Sequence, residues 1–172
     1  MFIITAVGPD RPGMAHALAQ KLFEAQCNLE DTTMTRLSGQ FAMILAVAPP
    51  ADLSLDALES QLQDLKKSHG LTIDIAPTSV DSALEIEVPR HILTAYGPET
   101  SGLLARLTGI LSDKSVNVTD VQTRVASAGM VYVMILELEL PPETNAETLE
   151  DDLRYRAPDL QISLRALEEE TL

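Results

Sequence analysis

Ile3-Ile4-Thr5-Ala6-Val7-Gly8-Pro9-Asp10-Arg11-Pro12-Gly13 returns as Ile92-Leu93-Thr94-Ala95-Tyr96-Gly97-Pro98-Glu99-Thr100-Ser101-Gly102, at an offset of 89 residues. The same offset pairs Leu18 with Leu107, Leu22 with Leu111, Asn28 with Asn117 and Asp31 with Asp120. Far downstream it still aligns Leu71 with Leu160, Ile73 with Ile162 and Ile75 with Leu164, while Pro49-Pro50 and Pro141-Pro142 match at an offset of 92. So long a match with so small a drift marks one supersecondary unit present twice, with loop lengths altered between equivalent elements.

Within the first copy, Phe2 to Val7 is a short apolar run closed by Gly8-Pro9, which predicts a buried strand. Met14, Leu18 and Leu22, with Ala15 and Ala25, share one helical face, and Pro12 suits the first turn of that helix. Asn28 to Leu37 carries Thr32, Thr33 and Thr35 and reads as a strand; Ser38-Gly39 turns it into a second buried run, Phe41 to Val47. Ser54 can cap a helix bearing Leu55, Leu58, Leu62 and Leu65 that ends near Gly70. Leu71, Ile73 and Ile75 then alternate with Thr72 and Asp74 as a half-buried strand. The order β-α-β-β-α-β is the split βαβ, ferredoxin-like arrangement: an α+β fold with antiparallel sheets and helices on one face.

The second copy repeats this with Leu103, Leu104, Leu107, Ile110 and Leu111 on its first helix, a strand from Met130 to Leu140, Leu149 and Leu153 on its second helix, and a last strand at Leu160, Ile162 and Leu164. The expected division is residues 1–77 for the first domain, 78–88 for the linker, and 89–172 for the second domain. Leu84, Ile86 and Val88 are candidates to extend the second domain's first strand, and Glu168-Glu169-Glu170 for a solvated tail.

Composition narrows the function. The chain of 172 residues is 45% hydrophobic and only 3% aromatic, so any core is aliphatic, and two small domains fit the length. Formal net charge is −14, and both halves are acidic. Affinity for nucleic acid rests on Lys and Arg neutralising phosphates, so direct nucleic-acid binding is not expected. The single cysteine, Cys27, excludes an intrachain disulfide and reads as a small apolar core residue, since Val116 takes the equivalent place. With no basic leader before an apolar run and no stretch of membrane-spanning length, a cytoplasmic protein is expected.

Catalytic groupings do not assemble. No Gly-x-Ser-x-Gly elbow occurs, Ser101 reads as a helix N-cap, and His16, His69 and His91 lack metal-ligand spacing. No catalytic residue, metal or cofactor is expected. Met14, Met34, Met43, Met130 and Met134 fall on apolar faces and read as core. The turn at Gly8–Gly13 has two readings. It places backbone N–H groups at a helix N-terminus, where a carboxylate can be received and Gly13 permits close approach; or it is a tight connection that needs glycine. Asn28 and Asn117 likewise either bind polar groups of a ligand or tolerate a left-handed turn.

A βαββαβ unit with Gly8-x-Asp10-x-Pro12-Gly13 after its first strand and a next strand opening at Cys27-Asn28-Leu29-Glu30-Asp31, with Met34-Thr35 following, resembles the ACT domain. Two such domains with nothing else in a chain this long are similar to the glycine cleavage system transcriptional repressor family. The resemblance implies a non-enzymatic regulator that binds a small amino acid, glycine by the family analogy, near the junction of two domains. It places the ligand contacts at Asp10, Gly13, Met14 and Asn28 and at Glu99, Gly102, Leu103 and Asn117. It further implies action through a protein partner, a transcription activator, instead of DNA. Glu99-Thr100-Ser101 departs from the motif where the first copy has Asp10-Arg11-Pro12, which weakens the second site. The alternative is an interaction module of the same fold that binds no ligand. Exposed sheet edges make a homodimer the expected assembly.

Overall fold

The structure is a computed structural model that describes residues 1–78, 88–126 and 131–167. The chain divides into two compact units, Met1–Leu84 and Glu85–Leu172.

The first unit runs β1 (Phe2–Pro9), α1 (Met14–Glu24), β2 (Asn28–Leu37), β3 (Gln40–Ala48), α2 (Leu55–His69) and β4 (Thr72–Pro77). The second repeats it as β5 (Arg90–Pro98), α3 (Leu103–Asp113), β6 (Asn117–Ala126), β7 (Val131–Glu139), α4 (Ala146–Arg156) and β8 (Gln161–Ala166). The sheets have the orders β2-β3-β1-β4 and β6-β7-β5-β8 with antiparallel neighbours throughout, so the ferredoxin-like βαββαβ topology occurs twice. β2 and β6 carry a register shift at the same relative place, between Leu29 and Asp31 and between Val118 and Asp120.

Both helices of each unit cover one face of its sheet. In the first unit Met14, Leu18 and Leu22 of α1 and Leu58, Leu62 and Leu65 of α2 close on Ile4, Ala6, Met43 and Leu45. In the second, Leu103, Leu107, Leu149 and Leu153 close on Leu93, Ala95, Met134 and Leu136. Each such leucine contributes about 1.5–3 kcal/mol by leaving water. Several expectations change here. β1 and β3 are buried on one face only: Val7 is 40% and Ile44 46% exposed on the other, because no helix lies there. Met34 is 54% exposed; it pairs with buried Met43, but β2 is an edge strand beyond the cover of the helices. Val88 precedes β5 without joining it, whereas Leu84, Ile86, Met130 and Glu168–Glu170 lie outside the described residues.

The helix ends follow local chemistry. Ser54 Oγ accepts from Ala57 N at 3.2 Å, Asn145 Oδ1 accepts from Thr148 N at 3.0 Å, and Gly70 closes α2 in the left-handed region. α1 and α3 end identically. Gln26 and Ser115 take positive φ, and the following Cys27 and Val116 donate their N–H groups back to Leu22 and Leu111. That is the Schellman pattern, and it explains why the residue after the turn is apolar in both copies. Cys27 is accordingly half-buried against the core, and burial raises its thiol pKa.

Candidate functional site

Gly13 and Gly102 stand at the N-caps of α1 and α3 with φ of 92° and 85°. Neither helix has a side-chain cap or an acidic residue in its first turn, whereas α2 and α4 have both. Ser101 is therefore not the cap, and Pro12 lies in the turn before the helix instead of within it. No side chain caps these ends: in α1 the Met14 N–H turns back to the Arg11 carbonyl at 3.4 Å, and the positive end of each helix dipole faces its glycine turn.

The role of Gly13 also becomes specific. A Cβ on Gly13 or Gly102 would meet nothing within 4 Å, so positive φ, not crowding inside the unit, calls for glycine. Close approach falls instead on Gly8 and Gly97, where a Cβ would sit 2.8 Å from the Gly70 carbonyl oxygen and 2.7 Å from that of Asp159.

Asp10 lies beside α1 and is tied to the β2–β3 hairpin: its N–H donates to the Gly39 carbonyl at 2.9 Å, and Arg36 Nη1 is 3.6 Å from its carboxylate. Met14 and Leu103 are 2% and 4% exposed, so their side chains belong to the core and only their backbone faces the loop. Glu99 is exposed, and with Thr100, Ser101, Gly102, Leu103 and Tyr132 it borders an open depression of about 490 Å³ at the head of α3.

Asn28 and Asn117 open β2 and β6 at the other end of the first helices. Since α1 has 11 residues, Asn28 is about 16 Å from Gly13 along the helix axis. Inside one unit the loop residues and the asparagine do not come together. Each asparagine is exposed and donates to a carboxylate, Asn28 to Glu30 at 2.7 Å and Asn117 to Glu139 at 2.8 Å. The left-handed positions are Gln26 and Ser115, so tolerance of that conformation does not account for either asparagine. Asn28 borders a second depression, of about 500 Å³, with Phe23, Gln26 and Cys27.

Sequence reasoning missed Arg36 and Tyr132, and it gave close approach to Gly13 where the structure gives it to Gly8 and Gly97. The repeat signals only the glycines, because Gly97 recurs at the place of Gly8; Arg36 and Tyr132 reach their places through strand pairing. Among the described residues no group of three or more His, Cys, Asp or Glu is placed to hold a metal ion, and no helix is long and apolar enough to cross a membrane.

Fold and site together define a tandem pair of small α+β modules, each presenting a helix N-terminus without a side-chain cap at a glycine turn. The ACT domain model matches residues 1–76 and again 90–166, and the chain belongs to the ACT domain family, a class of regulatory, amino-acid-binding modules. A UPF0237 protein of Methanopyrus kandleri is 31% identical over 83 residues, covering 48% of this chain and 92% of that protein. A UPF0237 protein of Streptococcus mutans is 27% identical over 82 residues, 48% of this chain and 93% of its own. An unknown protein from Galdieria sulphuraria superposes with a TM-score of 0.76 at 23% identity, over 97% of this chain and 98% of its own. A structure provisionally named a glycine cleavage system transcriptional repressor gives 0.73 at 16% identity, over 98% and 97%. At those identities the two structures establish the shared tandem fold.

Proposed function

We propose that the chain is a non-enzymatic regulator that binds a small amino acid, glycine first among candidates, and thereby alters a surface read by a partner transcription regulator. The observation that carries this reading is the contrast between helices: α2 and α4 are capped by their own side chains, while α1 and α3 have no side-chain cap behind their glycine turns. An amino-acid carboxylate fits such an end. Asp10 or Glu99 would take the ammonium group, with Gly13, Met14, Gly102 and Leu103 supplying backbone. Because Asn28 lies a helix length from Gly13, Asn28 and Asn117 would reach the ligand from a neighbouring copy of the chain, so the proposal includes a homodimer. The net charge of −14 supports a protein partner over a phosphate backbone.

Ligand binding shifts an equilibrium only by its difference in affinity for two arrangements. Isothermal titration of the full chain with each standard amino acid tests the reading. Saturable heat that weakens in Gly13→Ala and in Asn28→Ala is the expected result. Silence at millimolar ligand, or affinity unchanged in both variants, removes it. The second reading, an interaction module without a ligand, is favoured by one observation: Asp10, Asn28 and Asn117 already have protein partners.

A further inference from the structure

The uncovered faces of the two sheets differ in charge. On the first, cross-strand pairing sets Ile3 against Ala76 and Thr5 against Asp74, and no lysine or arginine lies on that face. The equivalent face of the second sheet carries Arg90, Arg124 and Arg165, three of the chain's 12 basic residues, interspersed with Asp120, Glu137 and Glu139. Here Ile92 pairs with Arg165 and Thr94 with Ser163, and these four side chains line a depression of about 370 Å³. Directly opposed Cβ atoms lie about 4.5–5.5 Å apart, which brings a guanidinium and two hydroxyls around one apolar floor.

The neighbouring charges leave Arg165 open. Glu137, across from Ile92 on β7, is held by Arg90 at 2.7 Å. The second unit's other arginine ion pairs engage Arg106, Arg154 and Arg156, so Arg165 has no carboxylate among the described residues. No hydrogen bond of the described residues occupies the side-chain hydroxyls of Thr94 or Ser163, whereas Tyr96 and Gln161, the next pair along, bond each other at 2.6 Å.

We propose that Arg165, Ser163 and Thr94, over Ile92, form a binding site for a small oxyanion, a carboxylate or an inorganic phosphate, on the uncovered face of the second sheet. The guanidinium supplies charge and two parallel donors, the hydroxyls supply the remaining donors, and Ile92 receives a short alkyl group if the anion has one. The site is separate from the helix N-termini and does not depend on them.

The test is a two-dimensional amide NMR titration of the full chain with sodium phosphate and, separately, sodium propionate, at ionic strength held constant with chloride. Saturable shifts centred on residues 92, 94, 163 and 165 are expected. Propionate, not phosphate, should also move the neighbours of Ile92. Arg165→Gln should weaken binding about tenfold or more, Ser163→Ala less, and Arg124→Gln at the opposite edge should leave it unchanged. All three residues are on the surface of the sheet, and the amide spectrum itself reports that each variant is folded. Asp74→Ser combined with Ala76→Arg should confer binding on the first sheet. Shifts that grow linearly with anion, or that survive Arg165→Gln, overturn the proposal. So does binding that emerges only in a chain ending at Leu167, which would assign Arg165 to the acidic tail.

Discussion

Replacing Gly13 separates two reasons for which a loop requires glycine. Gly13 has φ of 92° and ψ of −4°, and a Cβ there meets no heavy atom within 4 Å. Alanine therefore costs only the left-handed conformation, about 1–2 kcal/mol. Gly8 does not take positive φ, but its Cβ would lie 2.8 Å from the Gly70 carbonyl oxygen and 3.1 Å from Cδ2 of Leu71. Forcing atoms into such a contact costs about 1–3 kcal/mol. The two alanine variants overlap in magnitude, and asparagine tells them apart. Asparagine visits the left-handed region readily, so Gly13→Asn should be milder than Gly13→Ala. At Gly8 the larger side chain should be worse than alanine. Hydrogen exchange with mass spectrometry across a urea series reads peptides of the first unit separately from those of the second, which serves as the internal reference. For a unit of this size, 1–2 kcal/mol corresponds to a Tm lowered by about 4–15 °C. If Gly13→Asn proves no milder than Gly13→Ala, or Gly8→Asn milder than Gly8→Ala, the assignment of the two glycines is wrong.

Three further outcomes follow from the same geometry. Ser54→Ala and Asn145→Ala should each lose about 1 kcal/mol of stability in their own unit, measured by urea unfolding, whereas Ser101→Ala should stay within about 0.5 kcal/mol because Gly102 holds the cap position. Burial pushes the Cys27 thiol above its ordinary pKa. Iodoacetamide should therefore modify the folded chain more slowly at neutral pH than the urea-unfolded chain, and faster as pH rises; equal rates would contradict the half-buried placement. The Arg106 hydrogen bond holds the Asp159 carboxyl below the usual carboxylate range. A depressed pKa stabilises the fold above the unfolded value and loses that contribution only as pH falls through the folded one. The stability difference between the native chain and Arg106→Gln should accordingly hold steady near neutrality and shrink only in acid.

Several features were legible without coordinates because their causes are local. The offset of 89 residues announced two copies of one unit, and residue pattern placed the elements of the first copy, with α3, β7, α4 and β8 of the second, near where the described residues show them. Ser54 and Gly70 bounded α2 as their chemistry requires, and Ser38-Gly39 turned the hairpin with both residues at positive φ. Each of these depends on a few consecutive residues.

What escaped the sequence depends on partners distant along the chain. An apolar run such as Phe41–Val47 reads alike whether one face or both are covered, and only the placement of the helices decided that Ile44 stays open. An edge position, not residue type, exposed Met34. Gly8 and Gly13 look equivalent in one motif, yet only the return of Gly70 beside β1 makes the first a packing glycine. The gathering of Arg165 and Ser163 around Thr94 is likewise a matter of register between strands far apart in sequence. The sequence alone therefore determined the elements and their doubling. Which side chains share a surface was decided by strand pairing and helix cover, which no local pattern encodes.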